Sequence, residues 1–228
     1  MEMLHIPLAS FIAVFTALFP VINPLGDAPI FLNMVQGCSI EVRNKLAKSI
    51  SINSFFMLLV SMLIGPQLLL FFGISLPALK LAGGLVVISV GWTLLNQKSS
   101  SNKSESNETG ITDESAGGST FFPLTMPLTV GPGSIATAIA LAAGSKDTHD
   151  VDFTNEIPAI IGGLVGLIAL SITIYFSYRE ASGLQRLLGK NGTNVLMRLF
   201  SFILLAIGVQ IFLGGLEGFA LQMYKEIP

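Results

Sequence analysis

Six stretches of this chain run at membrane-spanning length without a single Asp, Glu, Lys or Arg: Met3–Gly26, Ser49–Leu79, Leu81–Gln97, Ser115–Ser145, Ile157–Tyr178 and Leu199–Leu216. The hydrocarbon core of a bilayer is about 30 Å thick, and about 20 apolar helical residues cross it. Only helices and closed barrels satisfy their backbone groups there. These runs are continuously apolar rather than alternating, which excludes a barrel. The chain therefore reads as an all-α, polytopic membrane protein with six transmembrane helices, at roughly 8–35, 45–72, 76–96, 119–144, 157–178 and 195–217. Charged residues make up only 11% of the 228, too few to clothe a soluble domain. No Lys or Arg precedes the first run and no small-residue cleavage site follows it, so it is expected to stay as a span.

Two of the runs are interrupted in a related way. Phe19–Pro29 reads FPVINPLGDAP and Phe122–Pro132 reads FPLTMPLTVGP; shifted by 103 residues, Pro20, Pro24 and Pro29 fall on Pro123, Pro127 and Pro132. Proline inside a helix removes a donor and clashes with the carbonyl four residues earlier. The freed carbonyls must face protein, water or a ligand, because lipid satisfies none of them. Spans 1 and 4 are thus expected to be broken into half-helices. Residues 97–118, rich in Ser, Asn, Glu and Gly, read as a disordered cytoplasmic linker. It separates residues 1–96 from 119–228, each holding three spans. An odd number of spans per copy turns the second copy upside down, which is the inverted-repeat arrangement of many secondary transporters. Loops one, three and five and their flanks carry nine Lys and Arg against three on the other side, which puts both termini outside the cytoplasm.

The breaks carry recognisable chemistry. Asp27 followed by Ala28-Pro29 reads as an N-cap with proline in the first turn. Thr129-Val130-Gly131-Pro132-Gly133-Ser134 reads as a second helix start. Free N–H groups and the positive dipole end make such a start a seat for a carboxylate, and glycine lets a ligand approach the backbone. Carbonyls freed by the prolines suit an ammonium group or a cation. Brought together at the midplane, these poles fit a zwitterion. Asn23, Thr125, Thr129 and Ser134 are expected to line the cavity, although each residue type also satisfies local backbone readily. Asp27 is the one acid placed inside a span and is a functional candidate on that ground, with helix capping as the plain alternative. Asn53 and Gln210 are further polar candidates, which interhelical hydrogen bonding explains equally well. Asp147, His149, Asp150 and Asp152 match no metal-ligand spacing and read as a solvated external loop. The single cysteine, Cys38, excludes an internal disulfide and reads as a small buried residue.

The two breaks, Asn23-Pro24-Leu25-Gly26-Asp27-Ala28-Pro29 with Ile30-Phe31, and Pro127-Leu128-Thr129-Val130-Gly131-Pro132-Gly133-Ser134, resemble the signature segments of the MarC family. The likeness covers the whole chain, including the central linker and the run Ala206-Ile207-Gly208-Val209-Gln210. It implies an integral inner-membrane protein of the LysE-like transporter group, some of whose members carry small neutral amino acids such as glycine and alanine. By resemblance, Asn23, Pro24, Gly26, Pro127, Gly131, Pro132 and Gly133 carry over as functional residues; Asp27, Thr125 and Thr129 do not.

The expectation is a secondary transporter of glycine, alanine or proline in an inner membrane, working by alternating access, with the coupling ion (H+ or Na+) open and no other cofactor. Its partners are the solute and membrane lipid. No basic stripe with interleaved aromatics points to nucleic acid, and no GxxxxGK[ST] loop points to a pump within this chain. An intramembrane hydrolase is the reading from another class, but Ser134 has no evident base, since His5 and His149 fall in or near external loops. A channel, or an exporter of another small metabolite, is the third; charge-free spans supply no ring of charges for a channel.

Overall fold

The computed structural model describes residues 2–96, 111–144 and 153–225. In order they form α1 (Glu2–Ile22), α2 (Pro24–Met34), α3 (Ile40–Phe72), α4 (Leu76–Asn96), α5 (Ala116–Ser119), a π-helical segment (Thr120–Thr129), α6 (Pro132–Gly144), α7 (Phe153–Arg179) and α8 (Ala181–Lys225). The all-helical reading holds, with one isolated bridge between Gly37 and Thr112 as the exception among the described residues. Among the described residues, five helices are long and apolar enough to cross a membrane. A sixth span is added if Ala116–Thr129 and Pro132–Gly144, which meet at 68°, are taken as one.

Apolar residues face both inward and outward, as a lipid solvent demands. Leu18, Ile50, Leu58, Leu124 and Leu170 are fully buried, while Leu70, Phe71, Ile160 and Phe202 are exposed. Because lipid is as apolar as leucine, helices here associate through close packing rather than by hiding apolar surface from water. α4 and α8 form the most extensive helix pair. Gly84 and Gly91 of α4 lie against the backbone of Phe212 and Leu205, and Gly208 of α8 against Ile88. Gln210, in contrast, is exposed.

The first expected span, 8–35, is two helices. α1 alone offers span length over His5–Ile22, so the break stands at its end rather than at the middle of a span. The cause is the Asn-Pro pair: proline disfavours the helical conformation for the residue before it, and asparagine tolerates the left-handed region. Asn23 sits there, at φ 53° and ψ 52°, and its side chain accepts the Gly26 N–H. The N-cap of the second helix is therefore Asn23. Asp27, expected in that role, lies within the first turn.

The second break follows the same rule twice. Phe122 (φ −121°, ψ 123°) and Met126 (φ −122°, ψ 123°), each preceding a proline, are extended. Both peptide bonds that follow, to Pro123 and Pro127, are cis. Helical geometry resumes at Pro132. The helix-opening prolines are thus Pro24 and Pro132, 108 residues apart, where proline matching in the sequence pairs Pro24 with Pro127.

α8 begins well before the expected 195 and bends at Gly189 (φ 64°, ψ 176°). Residues 97–110 of the expected linker, and Asp147, His149, Asp150 and Asp152, lie outside the described residues. The linker's last part, from Ile111, is ordered. Ile111 N–H donates to Met34 O at 3.0 Å, the Cys38 thiol donates to Ile111 O at 3.1 Å, and Ser39 N–H donates to Asp113 Oδ1 at 2.8 Å. Ile111 and Ala116 are buried, so this piece straps the connection between α2 and α3.

Candidate functional site

The two breaks meet. Between them lies a cavity of about 240 Å³, bounded by Val21, Ile22, Asn23, Asp27 and Ile30 on the first side and by Pro127 to Thr129 and Gly131 to Ser134 on the second. α4 closes it with Val86, Val87, Val90 and Leu94, and α8 contributes Leu204. Of the eleven residues assigned to the site from sequence, eight line this cavity: Asn23, Asp27, Pro127, Thr129, Gly131, Pro132, Gly133 and Ser134.

Pro24, Gly26 and Thr125 do not line the cavity; they build the breaks. Pro24 opens α2, where a missing N–H costs nothing. The Gly26 N–H is taken by Asn23 Oδ1 at 3.3 Å. Thr125 is fully buried; its hydroxyl donates to Thr120 O at 2.8 Å and accepts from Asn53 Nδ2 at 3.4 Å. Backbone satisfaction within the π-helical segment, not a solute, occupies this threonine.

The two helix starts differ electrically. At α2 the capping amide of Asn23 closes the first turn over itself. At α6 the N–H groups of Gly133 and Ser134 follow Pro132 immediately, in the positions for which a helix provides no carbonyl. The Ser134 hydroxyl donates to Gly131 O at 2.9 Å, and the Ile135 N–H also reaches that carbonyl, at 3.1 Å. The open anion seat is therefore the start of α6. A side chain at position 133 would be driven into Val87, a residue of the cavity wall. Opposite stands Asp27, 6% exposed. Among the described residues, no ion pair or side-chain hydrogen bond compensates its carboxylate. A carboxylate desolvated without a partner is costly, so this wall favours a cation, an ammonium group or a proton. No cluster of three or more His, Cys, Asp or Glu suited to a metal occurs among the described residues.

Residues 8–220 match the family described as MarC family integral membrane protein. The chain belongs to that family. Among its relatives, the UPF0056 inner membrane protein MarC of Citrobacter koseri is 32% identical over 201 residues, covering 87% of this chain and 90% of the relative. The UPF0056 membrane protein YvbG of Bacillus subtilis is 33% identical over 205 residues, 90% and 93% of the two chains. A UPF0056 membrane protein of the archaeon Pyrococcus horikoshii is 29% identical over 209 residues, 92% and 95%. No solved structure matches this chain.

Sequence reasoning missed two features around the cavity of this MarC-family protein. One is the apolar wall from α4, whose residues are indistinguishable in sequence from lipid-facing ones. The other is Tyr178, a buried residue of α7. Its hydroxyl lies 2.8 Å from Thr129 Oγ1. Because the Thr129 proton is spent on Leu124 O at 2.8 Å, Tyr178 is the donor. The Tyr178 ring also stacks on Phe31 of α2, 4.6 Å between centroids and 9° between planes. One side chain therefore ties both breaks to α7. The sequence signal was an aromatic at the end of a span, which ordinarily reads as a membrane-interface anchor.

Proposed function

We propose that this MarC-family protein is a secondary transporter of small neutral amino acids, with the solute held between the two breaks. The observation that carries the reading is one small cavity with an open helix start on one wall and a lone carboxylate on another. Sites for drug-sized ligands run from about 300 to 1,000 Å³, and a cavity of about 240 Å³ falls below that range. The substrate carboxylate sits at the Gly133 and Ser134 N–H groups, its ammonium faces Asp27, and a hydrogen, methyl or pyrrolidine side chain packs against Ile30 and Val87. Glycine, alanine and proline suit that space. Asn23, Pro127, Thr129, Gly131 and Pro132 shape the cavity around them.

The helix pairs support an inverted repeat, with the domain boundaries at 1–96 and 119–228. α1 and α2 pack on α7 as the π-helical segment and α6 pack on α3; α2 packs on α8 as α6 packs on α4; α4 meets α8 and α3 meets α7. With α2 answering α6, the contacts between the halves have mates except that of α1 with α8, which the π-helical segment and α4 do not answer. Alternating access follows from rocking one half against the other, with both termini outside the cytoplasm of a prokaryotic inner membrane and H+ or Na+ as the coupling ion. Hydrolysis is not favoured, because the Ser134 hydroxyl donates to a backbone carbonyl.

Counterflow in proteoliposomes is the test. Vesicles loaded with unlabelled alanine are expected to accumulate labelled glycine, alanine or proline transiently above equilibrium. Gly133→Val is expected to remove that overshoot by displacing Val87 at the cavity wall. No overshoot for any small neutral amino acid, with the wild-type protein folded, would reject the reading.

A further inference from the structure

A second depression, of about 510 Å³, opens where α2 ends, α3 begins and α8 takes its first turns; it is lined by Leu32, Gln36, Arg43, Ser182, Gln185, Arg186 and Gly189. Two guanidinium groups and no acid line it. Arg43 is fixed in place, donating from Nε to Cys38 O at 2.9 Å and from Nη2 to Gln36 O at 2.8 Å, which leaves its remaining donors free. Arg186 has no ion pair; among the described residues the one ion pair joins Arg179 and Glu180. Two unneutralised guanidinium groups around one cleft call for a multi-oxygen anion, and guanidinium geometry matches phosphate in particular.

The surroundings say what carries that phosphate. Both arginines belong to the cation-rich side of the chain, at the ends of spanning helices, where headgroups lie. Next to Arg186, Leu187 is 83% exposed, an apolar residue with no protein cover beside a polar cleft. An amphiphile satisfies both at once, with its phosphate between the arginines and its acyl chain along Leu187. We propose that this cleft is a phosphate site filled by the headgroup of an acidic phospholipid from the cytoplasmic leaflet. Basic pockets between spanning helices on that side are recurrent lipid-headgroup sites. The site is separate from the cavity between the breaks but adjoins it through α2, which turns Asp27 and Ile30 to the cavity and Leu32 to the cleft.

The test uses the full-length protein in phosphatidylcholine nanodiscs, titrated with phosphatidylglycerol and, separately, with inorganic phosphate. Binding is read by native mass spectrometry and by thermal shift. Wild-type protein is expected to prefer phosphatidylglycerol over phosphatidylcholine. Arg186→Gln is expected to weaken that preference by about fivefold, the weight of one basic residue at an anionic surface, with unchanged stability in phosphatidylcholine because Arg186 holds no other group. Arg43→Gln is expected to weaken lipid binding at least as much. Undiminished phosphatidylglycerol binding by Arg186→Gln would overturn the proposal. So would stabilisation by inorganic phosphate that Arg186→Gln removes while phosphatidylglycerol gives none, since the occupant would then be a soluble anion.

Discussion

The contact between Thr129 and Tyr178 lets the tie between the second break and α7 be measured. Tyr178→Phe keeps the ring against Phe31 and removes one donor from an oxygen that retains its bond to Leu124 O. Such a loss costs about 0.5–1.5 kcal/mol, and hydrogen bonds inside membrane proteins average about 0.6 and reach about 1.7 in double-mutant cycles. Thr129→Val keeps the shape but strands the buried Tyr178 hydroxyl, while the Leu124 carbonyl keeps the π-helical N–H of residue 129. At about 1–3 kcal/mol for a stranded buried group, the expected loss is about 1–3 kcal/mol. In the double variant Tyr178 no longer strands a hydroxyl, so the combined loss falls short of the sum by about 0.6–1.7 kcal/mol. Equilibrium unfolding in bicelles of the four proteins measures this directly. Additivity within about 0.3 kcal/mol would refute the tie, and with it the view that one side chain couples both breaks to α7.

Three further outcomes follow from the same geometry. Asp27→Asn is expected to abolish counterflow without lowering thermal stability, because Asn23 is the cap and no bond to Asp27 is lost; persistent transport with that variant would remove the carboxylate from the site. Gly84→Ala would bring a Cβ to 2.6 Å from the Phe212 backbone nitrogen and 2.8 Å from its Cα, forcing α4 and α8 apart at about 1–3 kcal/mol; an unchanged melting temperature would contradict the packing. On a background lacking Cys38, Lys103→Cys is expected to label only from the cytoplasm and Asp150→Cys only from outside, and labelling of both from one side would sink the inverted arrangement.

What the sequence reveals and what it hides divide along physical lines. Charge-free runs report span length, and α4 falls at 76–96 as read, because lipid tolerates no charge at those depths. The break positions are also legible, because a proline acts on its own neighbours. Asp27 was misread as a cap because Asp-Ala-Pro imitates a helix start. The stronger signal was Asn23-Pro24, where the pre-proline residue leaves helical space and asparagine accepts the left-handed region. The register of 103 came from matching three prolines, whereas the prolines that open α2 and α6 lie 108 residues apart. Thr125 and Thr129 illustrate a second limit: a hydroxyl beside a break serves the backbone before it serves a ligand. The α4 wall illustrates a third, since in lipid the inner and outer faces of a helix are equally apolar and no periodicity separates them. The ordered tail of the linker was hidden by composition, as Ile111 and Ala116 are buried within an otherwise polar stretch.

The central claim is that the cavity recognises both ends of a zwitterion, with the start of α6 taking the carboxylate and Asp27 the ammonium. Titration calorimetry on the purified protein with alanine, propionate and ethylamine separates the two poles. Alanine is expected to bind, and each analogue, lacking one pole, to bind at least about tenfold more weakly, a difference of about 1.4 kcal/mol. Propionate or ethylamine binding as tightly as alanine would contradict the account.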